Sequence, residues 1–127
     1  MTDILIVEDN EANMRLARLL LVNAGYNVLW AADAETGLTL AREQQPALIL
    51  MDIQLPGMDG LAATRLLKQD PHTAHIPVIA LTAMAMKEDC EKTRQAGCDA
   101  YVSKPLSYKE LYRVIATLLP PHTTPSA

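Results

Sequence analysis

The chain of 127 residues carries a net charge of −4, with half of its residues apolar and a fifth charged. That length suits one domain able to bury its own core, and the acidic balance gives no basic footprint for direct nucleic-acid contact. No apolar run approaches the ~20 residues that span a bilayer, no signal peptide is visible, and the isolated Cys90 and Cys98 fit a reducing cytoplasm rather than a zinc or disulfide framework.

The first β-branched run, Ile4-Leu5-Ile6-Val7, ends in Glu8-Asp9-Asn10. Helical spacing follows from Glu11 to Ala24, with Met14, Ala17, Leu21 and Ala24 on one stripe, Asn10 as cap and Gly25 as stop. Asn27 to Ala31 reads as a second strand, and Asp33 caps a helix that runs to about Glu43, ahead of Pro46. Leu48-Ile49-Leu50-Met51 is a run apolar on both faces that stops abruptly at Asp52, with the breaker-rich Ile53-Gln54-Leu55-Pro56-Gly57-Met58-Asp59-Gly60 behind it. A third helix spans Leu61 to Gln69 and is closed by Asp70-Pro71. Ile76 to Leu81 predicts a fourth strand ending at Thr82, Lys87 to Ala96 a fourth helix stopped by Gly97, and Ala100 to Ser103 a fifth strand ending at Lys104-Pro105. Ser107 caps a last helix to about Leu119, which gives a domain over residues 1–119 and a tail over 120–127 that is expected to be flexible.

Strands alternating with helices imply a parallel sheet covered on both faces, joined by right-handed crossovers. Periodicity does not fix the strand order. Ligands of such sheets collect at the carboxyl ends of the strands, and there the chain gathers Glu8, Asp9, Asp52, Thr82 and Lys104. Clustered carboxylates repel one another unless a cation sits among them, and an all-oxygen set favours magnesium, for which manganese could substitute. With a hydroxyl and an ammonium beside it, the set suits a phosphoryl group. Taken singly, Asp9 could merely cap a helix and Asp52 merely open a turn. The pair Gly57 and Gly60 is read as turn geometry.

Those motifs in order, Ile-Val-Glu8-Asp9-Asn10, Leu-Met-Asp52-Ile-Gln-Leu-Pro56-Gly57-Met58-Asp59-Gly60, Ala-Leu-Thr82-Ala83 and Ser-Lys104-Pro105, resemble the receiver domains of two-component response regulators over residues 3 to about 119. The resemblance does not separate a stand-alone cell-cycle regulator from the receiver of a hybrid kinase. It implies a flavodoxin-like (CheY-like) α/β domain with a five-stranded parallel sheet in the order 2-1-3-4-5 and five helices on its two faces. It also implies that Asp52 accepts a phosphoryl group from a phosphohistidine, so that the protein is a switch rather than an enzyme with an external substrate. Asp9, Asp52 and the backbone carbonyl of Gln54 would ligate magnesium, with Glu8 acting through water. Thr82 and Lys104 would hold the phosphate, Tyr101 would turn inward with Thr82, Met84 would influence the phosphoryl lifetime, and the bond before Pro105 would be cis.

Two other classes share parts of this pattern. A flavin binder of the same sheet needs amides and hydroxyls after the first strand, where this chain places Glu8-Asp9. An aspartyl-nucleophile phosphatase needs a second Asp where Gln54 stands. Two surfaces carry apolar surplus. The last helix spreads its apolar residues over an arc of roughly 160°. Leu111, Val114 and Leu118 are expected to face the core, leaving Tyr108 and Tyr112 on a flank for a downstream protein effector. On the first helix, Ala12, Leu16 and Leu19 form a patch suited to a sensor histidine kinase or histidine phosphotransfer protein.

Overall fold

The computed structural model describes residues 2–55, 57–82, 87–104 and 106–119, with the backbone alone for 87–90. Five strands, β1 (Asp3–Val7), β2 (Asn27–Ala31), β3 (Leu48–Asp52), β4 (Val78–Thr82) and β5 (Ala100–Ser103), form one parallel sheet in the order β2-β1-β3-β4-β5. The helices between them are α1 (Glu11–Asn23), α2 (Ala34–Gln44), α3 (Gly60–Gln69), α4 (Lys87–Ala96) and α5 (Tyr108–Leu118). The order places β3 at the centre, and all five of its residues are buried. The expected order and helix count are therefore observed.

Alternation along the strands divides the core. Ile4, Ile6, Leu48, Leu50, Ile79 and Leu81 face one side, where Met14, Ala17 and Leu21 of α1 and Leu111 and Ile115 of α5 cover them. Leu5, Val7, Ile49, Met51 and Val78 face the other side, beneath Ala34 and Ala41 of α2 and Ala63 and Leu67 of α3. Period-2 strands sandwiched between helices have no polar face, which is why the sequence reads as continuous apolar runs.

Local chemistry sets most helix ends. The Asn10, Asp33 and Asp59 side chains accept the N–H of Asn13, Thr36 and Ala62 respectively, each satisfying one orphan donor of a first turn. The cap hydrogen bond holds the Asp33 carboxyl below its ordinary range. Gly25 and Gly97 take the left-handed conformation just beyond α1 and α4. Ser107 stands at the cap of α5, but its side chain makes no capping hydrogen bond.

Three expectations need correction. The fourth strand begins at Val78 and not at Ile76. Ile76 is buried, but its N–H closes a turn onto Thr73 and Pro77 has no N–H to give a ladder. In α5 the fully buried pair is Leu111 and Ile115, while Val114 and Leu118 pack only partly. Tyr112 does not lie free on a flank. It is half-buried, and its hydroxyl donates to the Leu20 carbonyl of α1 at 2.8 Å. Tyr108 is exposed, as expected, and meets Tyr112 edge-on with ring centroids 6.2 Å apart.

Candidate functional site

Glu8, Asp9, Asp52, Thr82 and Lys104 all stand at or just past the carboxyl ends of β1, β3, β4 and β5, where the parallel sheet delivers them to one edge. Oxygens of Glu8, Asp9 and Asp52 lie within 4.8 Å of one another. Lys104 Nζ sits 3.1 Å from Asp52 Oδ2 and 3.2 Å from Glu8 Oε1. Asp52 is 2% exposed, Glu8 1% and Thr82 3%, whereas Asp9 faces solvent. Strand pairing carries this convergence: Asp52 pairs with Leu81, Thr82 pairs with Ser103, and the Lys104 N–H donates to the Thr82 carbonyl at 2.8 Å.

The buried groups are held in place. Asp52 Oδ1 accepts the Gln54 N–H at 3.0 Å, which leaves Oδ2 towards Lys104. Glu8 Oε2 accepts the Asn10 N–H at 3.2 Å, so Asn10 both caps α1 and orients a site carboxylate. Glu8 Oε1 is buried near the ammonium, but not aligned for a hydrogen bond. Burial, and next the Asp52 carboxyl, push the Glu8 carboxyl up to about 7. For Lys104 burial works downward, but Asp52 and Glu8 outweigh it and the ammonium is held above its ordinary value. Among the described residues, the Lys104 ammonium thus faces two of the three clustered carboxyl groups.

That imbalance tests the fit of a magnesium ion. The donors are all oxygen, they converge, and a buried carboxylate oxygen lacks an aligned hydrogen bond, so a hard divalent ion meets what the residues leave unsatisfied. The same acids speak against a flavin phosphate at this position, because they would repel it.

The other expected residues are less concentrated. Tyr101 is 42% exposed at the β5 edge. Leu16 and Leu19 are 39% and 57% exposed on α1, away from its buried stripe. Met84, Pro105 and the tail 120–127 lie outside the described residues. Gly60 has a role that turn chemistry did not suggest. A Cβ built there would meet the Asp52 carbonyl oxygen at 2.1 Å and Ile53 Cα at 2.7 Å, so α3 starts directly against the backbone of Asp52. Gly57, at φ +77°, is the true turn glycine.

Comparison with known proteins agrees with this geometry. The family model for the response regulator receiver domain matches residues 4–116. The polar-differentiation response regulator DivK of Brucella anthropi is 51% identical over 116 residues, which cover 91% of this chain and 94% of DivK; the DivK of Brucella ovis matches equally. Among solved structures, the receiver domain of the Pseudomonas aeruginosa sensor histidine kinase PA1611, with magnesium coordinated in its active-site cleft, superposes with a TM-score of 0.85 at 38% identity. The match covers 92% of this chain and 96% of that one. The chemotaxis protein CheY4 of Vibrio cholerae, at 24% identity and a TM-score of 0.88 over 94% and 99% of the two chains, shares the fold. No helix of the described residues is long and apolar enough to cross a membrane. The chain therefore belongs to the receiver domains of two-component response regulators, and its acidic pocket fits magnesium and aspartyl phosphorylation.

Proposed function

We propose that Asp52 is the phosphoacceptor of a phosphorylation-dependent signalling switch spanning residues 1–119, and that its donor is a phosphohistidine on a sensor histidine kinase or a histidine phosphotransfer protein. The observation that carries this is Asp52 itself: a carboxylate buried at the end of the central strand, with one oxygen anchored by the Gln54 N–H and the other beside the Lys104 ammonium. Phosphoryl transfer asks chiefly for alignment and charge neutralisation. An Asp52 oxygen attacks phosphorus; the new P–O bond forms as the P–N bond to the donor imidazole breaks, and the electron pair returns to that ring. Lys104 and the Thr82 hydroxyl stabilise the phosphoryl oxygens. Asp9, Asp52 and the Gln54 carbonyl would hold magnesium, or manganese in its place, with Glu8 behind a bound water. Bound there, the ion would neutralise charge on the transferring group. Hydrolysis of the acyl phosphate, with water attacking phosphorus, restores Asp52, and no other substrate is turned over.

The phosphoryl group adds negative charge that draws Thr82 and Lys104 inward, and Tyr101 follows to bias the α4-β5-α5 face towards a downstream protein effector. Exposed Tyr108 is on that face, whereas Tyr112 braces α5 against α1. The exposed Leu16 and Leu19 of α1 would dock the phosphodonor, and the cytoplasm is where such partners meet. An acyl-phosphate donor tests the central assignment. Asp52→Asn is expected to abolish labelling, and labelling of that variant at the wild-type rate would refute it.

A further inference from the structure

The single tryptophan, Trp30, is on the edge strand β2 opposite Ile6, and it is 43% exposed. Its indole Nε1–H donates to the backbone carbonyl of Glu8 at 2.8 Å. The pairing of β1 with β2 explains why a side chain is needed there. Val7 pairs with Ala31, and the Glu8 N–H continues the ladder to the Ala31 carbonyl at 3.0 Å. In a parallel ladder the next bond would run from the Asp33 N–H to the Glu8 carbonyl. Asp33 has instead turned to cap α2 through its contact with Thr36. The indole takes the place of the missing donor.

The carbonyl it holds belongs to the peptide that joins Glu8 to Asp9. Glu8 is consequently fixed at its N–H by Ala31, at its carbonyl by Trp30 and at its side chain by Asn10. Asp9, exposed in a bend just past β1, has no such support for its carboxylate among the described residues. The peptide plane before it fixes where its Cα stands, and so where its side chain starts from.

We infer that Trp30 is a positioning residue for the metal site: its indole N–H sets the Glu8–Asp9 peptide plane and thereby aims the Asp9 carboxylate at the ion. The inference rests on the reading of Glu8, Asp9 and Asp52 as a magnesium site. It predicts that the ion and the indole hydrogen bond report on each other although that hydrogen bond is made to a backbone carbonyl.

The test is a magnesium titration of the full chain, followed by calorimetry and by the indole N–H resonance, which is unique because there is one tryptophan. In the wild type that resonance shifts on saturation with the same Kd that calorimetry gives. Trp30→Phe keeps a ring and loses the donor; it is expected to weaken magnesium binding roughly tenfold with little change in the urea midpoint. A folded Trp30→Phe with the wild-type Kd overturns the inference. If that variant does not fold, the wild-type resonance decides, and an indole signal unmoved at saturation overturns it equally. Asp9→Asn separates the two levels: a wild type that takes up no magnesium, or an Asp9→Asn that binds as tightly, overturns the metal site and the positioning role together.

Discussion

Glu8→Gln is the most informative perturbation of the acid cluster. Glu8 is buried, and its carboxyl is raised from 4.5 to about 7 in the folded chain without metal. Between those values the unfolded chain has lost the Glu8 proton while the folded chain retains it, so stability falls as pH rises. The contribution is complete below pH 4.5 and gone above about pH 7. Each pH unit inside the window costs about 1.4 kcal/mol, or about 3 kcal/mol in all. In a domain of this size that corresponds to a Tm lower by about 10 °C. Gln matches the shape of the protonated acid and cannot ionise. The variant should therefore equal the wild type near pH 5 and exceed it near pH 8 in a metal chelator. Urea denaturation at half-unit pH steps measures the difference. Saturating magnesium should restore the wild type at pH 8, because the ion favours the ionised carboxylates. Parallel stability curves for the two proteins from pH 5 to 8 would refute the reasoning, since Glu8 would then carry no buried charge.

Two further perturbations probe the scaffold and the surface. Gly60→Ala forces a Cβ against the backbone of Asp52 and Ile53, where no flexible side chain can yield; a loss of about 3 kcal/mol is expected in urea denaturation, and a loss under 0.5 kcal/mol would show that α3 can back away freely. Leu19→Glu changes a residue that is 57% exposed on α1, so stability and labelling by a small acyl phosphate should persist while transfer from a phosphorylated histidine protein falls at least tenfold. Equal loss of both activities would sink the docking surface.

The sequence by itself determined the elements and the list of groups at their ends. Apolar runs stopping at Glu8-Asp9, Asp52, Thr82 and Lys104 were visible because a strand buried on both faces tolerates a polar group only at its mouth. Asn10, Asp33 and Asp59 were visible as caps because capping is local chemistry of a few neighbouring residues. Which residues of α5 face inward was less legible: its apolar arc is broader than one face, and only packing selects Leu111 and Ile115 and turns Tyr112 towards Leu20. The tertiary structure alone decided the rest. The closeness of Gly60 to Asp52, the raised Glu8 carboxyl and the grip of Trp30 on the Glu8 carbonyl all join segments distant in sequence. Their distances and desolvation exist only once the sheet has assembled in its particular order and register.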